Sequence, residues 1–114
     1  MALTVTPSYP VSGVQLWTYD NLDTADSSPP KINAGGTEPI AGCIQAIGTF
    51  GGGTVKLQGS NDATNYVDIK DVTGSAIGLT ASGGAEFTTS FLYIRPLVTG
   101  GSGDDVNVFI VMRG

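Results

Sequence analysis

Glycine turns divide the chain from residue 40 onward into short segments in which apolar and polar residues alternate. The segment 54–60 is the clearest example, with Val55 and Leu57 on one face and polar residues on the other. Alternation with a period of two is the pattern of a half-buried β-strand. Glycine supplies the backbone conformations that tight turns between strands require. The pattern therefore predicts strands joined by turns, with little room for helices.

Segments of this kind recur along most of the sequence, at 14–19, 40–49, 54–60, 66–70, 76–80, 85–89, 91–98 and 106–113. Short strands at this spacing indicate a β-sandwich or barrel. A length of 114 residues suits one domain. We predict an all-β fold, a single jelly-roll-like β-sandwich domain over 14–114, preceded by an extended N-terminal arm over 1–13. The loop over 20–36, rich in Ser, Pro and Asp, is expected to be a solvated surface loop.

The predicted core contains Val55, Leu57, Ile94, Val108 and Ile110. Three strands also carry aromatic or apolar residues on the face opposite the assigned core face, where a wet sheet should be polar. In the strand 14–19 the assigned core face is that of Val14 and Leu16. Trp, Tyr and Arg are typical contact residues at protein interfaces. Either the arm or the long loop covers these second faces, or they contact a partner through Trp17, Tyr19, Tyr93, Arg95 and Phe109.

The charge of the chain disfavours two classes of partner. Five basic residues are scattered among ten acidic ones, which gives a net charge of −5. Proteins that bind phosphate backbones or anionic membranes need clustered Lys and Arg. We therefore expect neither nucleic acid nor a membrane as a partner. Residues 1–10 also lack the basic and apolar regions of a secretory signal, so we expect synthesis in the cytoplasm.

The residues of common catalytic sites are missing or isolated. The sequence has no histidine, so neither a Ser–His nor a Cys–His nucleophile can form. The single cysteine, Cys43, is expected to be a small buried residue within a strand. The pair Asp104 and Asp105 follows a glycine run and is expected in a solvated turn. We predict no enzyme activity, no catalytic residue and no cofactor.

One polar segment offers several oxygen ligands, as calcium sites do, at Ser60, Asn61, Asp62, Asn65 and Asp68. It does not match the EF-hand pattern. Asn and Asp side chains in such segments more often bond to their own backbone and form a turn. We therefore expect a turn here and no metal.

Two stretches, GTFGGGTVKLQGSNDATNYVDI (48–69) and FLYIRPLVTGGSGDDVNVFIVMR (91–113), resemble small virion proteins of tailed bacteriophages. In these proteins a strand, a GSND-x-TN-aromatic turn and a YIRP…TGG…V-x-V ending recur. The resemblance covers the later part of the chain, and the first 40 residues carry none of it. The resemblance implies that the chain is a member of the capsid decoration (cement) protein family.

Membership would imply a β-sandwich homotrimer on the outer surface of the virion. Its partner would be the major capsid protein, and its role would be to clamp the joints between capsomers and stabilise the filled head. A similar Gly-Ser-Asn-Asp turn occurs in discoidin-like carbohydrate-binding sandwiches. The alternative is thus a glycan- or cell-surface-binding module, or another virion component such as a tail or fibre protein. In a glycan-binding module Trp17 or Tyr66 would stack on sugar rings, and Asn61 and Asp62 would bond their hydroxyls.

Overall fold

The computed structural model describes residues 2–34 and 38–113, and over these residues it contains strands and turns but no helix. None of the described segments is therefore a helix that could span a membrane. The strands are β1 (Thr4–Ser8), β2 (Val14–Leu22), β3 (Ile32–Asn33), β4 (Ile40–Thr49), β5 (Thr54–Ser60), β6 (Val67–Asp68), β7 (Gly78–Leu79), β8 (Gly83–Thr89), β9 (Tyr93–Thr99) and β10 (Asp105–Arg113).

These strands form two antiparallel sheets. The first sheet has the order β1-β2-β10-β4-β8. The second has the order β3-β9-β5-β6, and β7 also pairs with β5. Most consecutive strands lie in different sheets, so most pairings join distant parts of the sequence. The chain is all-β, and its two sheets are consistent with a β-sandwich.

Both sheets contribute to one hydrophobic core. The predicted core residues Val55, Leu57, Ile94, Val108 and Ile110 are all fully buried, which confirms that part of the prediction. They lie on β5, β9 and β10, where apolar residues alternate with outward ones. On these three strands the alternation therefore identified the correct inner face.

From Trp17 to Tyr19, β2 faces the opposite way from the prediction, although Val14, which was assigned to the core, is buried. Its register pairs Tyr19 with the buried Val108, and Trp17 with the buried Ile110. Directly opposed residues in antiparallel strands project from the same face. Tyr19 is accordingly fully buried, and its prediction as a partner contact is wrong. Large apolar residues occupy both faces of β2, so alternation alone could not select the inner one.

The N-terminal segment supplies the edge strand of the first sheet. β1 pairs with β2 in a hairpin, with Val5 opposite Tyr19. Gly13 lies in the hairpin turn with a φ of 79°, which glycine adopts without steric strain. Leu3 and Val5 are half-buried and pack against the core. The residues expected as an arm thus hydrogen-bond to their own domain along 4–8.

The connection between β2 and β3 is tied to the rest of the domain at two points. The backbone N–H and the hydroxyl of Thr24 both donate to Oδ2 of Asp104, each at 2.9 Å. The hydroxyl of Tyr19 donates to the carbonyl of Pro30 at 2.6 Å. Asp104 is buried because it receives these bonds, so the prediction of a solvated turn is wrong for this residue. Within 20–36, Pro29 is also buried and residues 32–33 form β3, while 35–37 lie outside the described residues.

Candidate functional site

The outward side chains of β5 and β9, with the loop residues that touch them, form a surface that we call the Arg95 face. Its strand residues project outward because Val55, Leu57 and Ile94 project into the core from the same strands. Tyr93 and Arg95 lie here, half-buried, on the face predicted for them. The surface as a whole comprises Ser28, Lys31, Lys56, Gln58, Tyr66, Asp68, Tyr93, Arg95 and Leu97.

Arg95 is the best-held side chain of this face. The carbon of its guanidinium lies 3.7 Å from the centre of the Tyr66 ring, a stacking geometry that favours a cation. Its Nε donates to Oε1 of Gln58 at 3.2 Å, and Nη1 donates to the hydroxyl of Ser28 at 3.3 Å. Contacts from three different segments therefore fix the plane of the guanidinium.

Two further basic side chains lie on the same face. Lys31 places Nζ 5.5 Å from the centre of the Tyr93 ring. Lys56 places Nζ 3.7 Å from Oδ2 of Asp68, and both side chains are more than a third exposed. Such an exposed ion pair contributes little to stability. The face therefore combines aromatic rings with accessible positive charge.

The outward side chains of β2, β4, β8 and β10 form a second surface, which we call the Phe109 face. Phe109 lies opposite Thr18 and Gln45, and Val111 lies opposite Leu16 and Cys43. The centre of the face is apolar and consists of the half-buried or exposed residues Leu16, Cys43, Ile47, Phe109 and Val111.

Cys43 is exposed on the Phe109 face, so its prediction as a buried residue is wrong. It does lie within a strand, β4, as expected. On this strand Ile44 and Ala46 take the inner positions, which leaves Cys43 and Gln45 outside. A cysteine is small and apolar enough for either face, so its type gave no reliable signal.

The two outer faces separate the residues that the sequence singled out. Tyr93 and Arg95 lie together on one face, and Phe109 lies on the other. Trp17 belongs to neither, because it projects inward from β2, packs against the core and donates from Nε1 to Oε1 of Gln15 at 3.2 Å. Sequence reasoning missed the role of Gln58 beside Arg95, because the pairing of β5 with β9 joins residues 37 positions apart.

The segment 60–65 is a self-bonded turn, as predicted. Oδ1 of Asp62 accepts bonds from the backbone N–H groups of Thr64 and Asn65 at 2.9 and 2.8 Å, and from the hydroxyl of Ser60 at 2.8 Å. These bonds hold the pKa of the Asp62 carboxyl well below its usual range, with Asn65 the largest contributor. Asn61 accepts a bond from the backbone of Leu92. The oxygens considered as calcium ligands at Ser60, Asn61 and Asp62 are thus used by the turn and by the residue that precedes β9.

No group of three or more His, Cys, Asp or Glu side chains within 2–34 and 38–113 is arranged to hold a metal ion. The two outer faces differ in character, since one carries aromatic rings and positive charge and the other is apolar at its centre. Comparison with protein-family models, with curated proteins and with solved structures finds no match to this chain.

Proposed function

We propose that the protein is a non-enzymatic structural protein of a bacteriophage virion. It acts as a decoration, or cement, protein that binds the outer surface of the capsid as a homotrimer and bridges neighbouring copies of the major capsid protein. The viral part of this proposal rests on the resemblance in 48–69 and 91–113. Many copies with modest contacts would together stabilise the DNA-filled head, because linked weak contacts add up.

The observation that carries a binding role is the apolar centre of the Phe109 face. A sheet with one face in water normally presents polar residues there. Here Leu16 and Val111 lie directly opposite each other on two central strands, and Phe109 lies on the same face. Contiguous exposed apolar surface marks sites of contact with other proteins. The apolar centre of the Phe109 face therefore supports a role in binding another protein.

We also propose that the two sheets form a jelly roll. Without β1, the first sheet reads β2-β10-β4-β8 and the second reads β3-β9-β5, with β6 and β7 one after the other along β5. This order supports two interleaved Greek keys with eight strand positions, in which β6 and β7 share one position. Jelly rolls serve as viral capsid domains and as lectins, so this fold is compatible with both functions considered from the sequence.

The contacts of the candidate sugar-binding groups favour the capsid proposal over a glycan-binding module. One face of the Tyr66 ring is covered by Arg95 at 3.7 Å, and Trp17 packs against the core. Asn61 and Asp62 accept hydrogen bonds from within the domain. A sugar would have to displace these contacts, whereas a protein partner could use the faces as they are.

The test is binding to heads of the encoding phage that lack this protein. The purified chain should sediment with DNA-filled heads up to a fixed number of copies, and heads that carry it should release DNA at a higher temperature. Phe109→Asp should weaken this binding at least about tenfold, whether the Phe109 face contacts a capsid subunit or a second copy within the bound homotrimer, because a charge would replace a central apolar contact. The matched control is Leu92→Asp, since Leu92 is 45% exposed and lies outside both faces.

Failure of the wild-type chain to sediment with such heads, with an unchanged temperature of DNA release, would contradict the proposal. Binding to a glycan array in the same preparation would then support the alternative function.

A further inference from the structure

The Arg95 face concentrates positive charge in an acidic protein. It carries three of the five basic residues of the chain, Lys31, Lys56 and Arg95, and one acidic residue, Asp68. Lys56 is already paired with Asp68. The other two positive charges contact aromatic rings, with no carboxylate beside them among the described residues.

The Phe109 face has the opposite sign. Asp20, Glu86 and Asp105 project outward at its margins, opposite Thr4, Cys43 and Thr49, respectively. Its one basic residue, Arg113, lies at the far end of β10, opposite Ala41. Three carboxylates therefore surround an apolar centre, on the side of the molecule that faces away from the Arg95 face.

Arg95 is oriented to receive a carboxylate. Gln58 and Ser28 accept from two of its N–H groups, and the Tyr66 ring fixes its plane. A guanidinium has five N–H groups in a rigid planar fork that matches a carboxylate in shape. The remaining N–H groups of Arg95 have no acceptor within 2–34 or 38–113. Since the side chain is already held in place, it would need little further ordering to bind a carboxylate.

We propose that the Arg95 face of one copy binds the Phe109 face of a second copy, with Arg95 receiving a carboxylate from the acidic margin of that face. The inference rests on the proposed homotrimer and names the surfaces that build it. The two faces differ, so the contact is heterologous and each copy uses both faces at once. Such a contact closes into a ring when its rotation permits and otherwise continues as an open chain of copies, so association that grows beyond three copies would overturn the inference.

Self-association of the purified chain, without heads, tests this arrangement by sedimentation equilibrium. Arg95→Glu should weaken association about tenfold or more, because like charges would then meet in the contact. Lys31→Glu should weaken it as well, and this exposed residue makes no contribution to the core. Lys70→Glu is the matched control, since Lys70 is exposed, makes no contact with Arg95, Lys31 or Tyr66 among the described residues and gives the same change in net charge. Raising the salt to about 0.5 M should weaken association of the wild-type chain, because dissolved ions screen the attraction between the basic and acidic faces.

A mixing experiment tests whether the two faces meet each other. Glu86→Lys should also weaken association when measured alone. In an equimolar mixture with the Arg95→Glu chain, a mixed trimer has two contacts between different variants, where charges of opposite sign meet, and one contact between like variants. The mixture should therefore associate more strongly than either variant alone.

A wild-type chain that stays monomeric at all concentrations would overturn the inference. Equal weakening of association by Arg95→Glu and Lys70→Glu would also overturn it. So would a mixture that associates no more strongly than either variant alone. Sedimentation of the wild-type chain with heads is scored separately. Loss of head binding with intact charge-dependent association would overturn the proposed function alone. Head binding by a monomer would overturn this inference and the proposed homotrimer, and it would leave the capsid-binding role standing.

Discussion

Tyr19 and Asp104 are polar side chains that lie inside the domain because each has a hydrogen-bond partner on the loop between β2 and β3. Tyr19 reaches the carbonyl of Pro30, and Asp104 receives two bonds from Thr24. Thr24 in turn accepts a bond from the backbone of Gly101 at 3.1 Å. Buried polar groups are stable when they are paired in this way. These single residues therefore determine where the loop lies.

Replacing Asp104 with Ala should destabilise the domain by about 1–3 kcal/mol, because the N–H of Thr24 loses its acceptor in a half-buried position. Urea denaturation would measure the change. Asp105→Ala is the control on the neighbouring residue, which is exposed and should change stability by no more than about 0.5 kcal/mol. Equal effects of the two substitutions would show that the bonds to Thr24 do not stabilise the loop.

The Tyr19 phenol should make stability depend on alkaline pH. Burial raises the pKa of this group far above its usual value, with a smaller contribution from Tyr66. In the unfolded chain the phenol loses its proton near pH 10, while in the folded chain it keeps the proton. Its contribution to stability is thus fully present below about pH 10 and is lost as the pH rises from there toward the folded pKa.

Tyr19→Phe should remove this part of the alkaline loss, and it should cost about 0.5–1.5 kcal/mol at neutral pH through the lost bond to Pro30. Thermal unfolding between neutral pH and about pH 11 gives both quantities. Tyr9→Phe serves as the control, because Tyr9 is 69% exposed. If Tyr19→Phe and the wild type lose stability in parallel above pH 10, the phenol is not the titrating group.

At the scale of strands, the sequence predicted those elements in which apolar residues alternate between well-placed turns. The faces of β5, β9 and β10 follow directly from residues such as Leu57, Ile94 and Ile110. The face of β2 does not, because it carries a large side chain on either side, Leu16 on one and Tyr19 on the other, and the pairing with β10 selects between them. The sequence did not predict β1 and β3 as strands, because their own composition gives no strand signal. They are strands because β1 pairs with β2 and β3 pairs with β9.

The same limit applies to the candidate site. Alternation placed Tyr93 and Arg95 on an outer face, and the structure agrees. The partners of Arg95 come from the β2–β3 loop, from β5 and from the turn before β6, and no local pattern connects Ser28, Gln58 and Tyr66. A site assembled across strands can be predicted only once the strand register is known.

β1 offers a direct test of strand phase. Val5 projects inward opposite Tyr19 and packs on the core, whereas Thr6 is exposed opposite Thr18. Val5→Asp should destabilise the domain by about 1–3 kcal/mol, because a charge would be placed against apolar surface. It should also release β1 to proteases. Thr6→Asp adds the same charge on the outer side and should leave both the thermal midpoint and the protease resistance of residues 4–8 near those of the wild type.

At the scale of the whole molecule, one core with two outer faces leaves each face free for a different contact. The domain measures 40 × 28 × 26 Å along its principal axes. If both faces are used between copies, the turns at the ends of the domain are what the assembly presents to a shell. The β1–β2 turn carries Tyr9 and Val11 at 69% and 58% exposure, and these side chains would then be the first to examine for contact with the capsid.

The exposed position of Cys43 gives the protein its own reporter of assembly. It is the single thiol of the sequence, and it lies beside Val111 on the Phe109 face. A maleimide should label it rapidly in dilute solution and slowly once that face is covered, because alkylation needs an accessible sulfur. The Arg95→Glu chain should keep the fast rate at every concentration. Equal rates in dilute and concentrated wild-type protein would show that this face stays open to solvent.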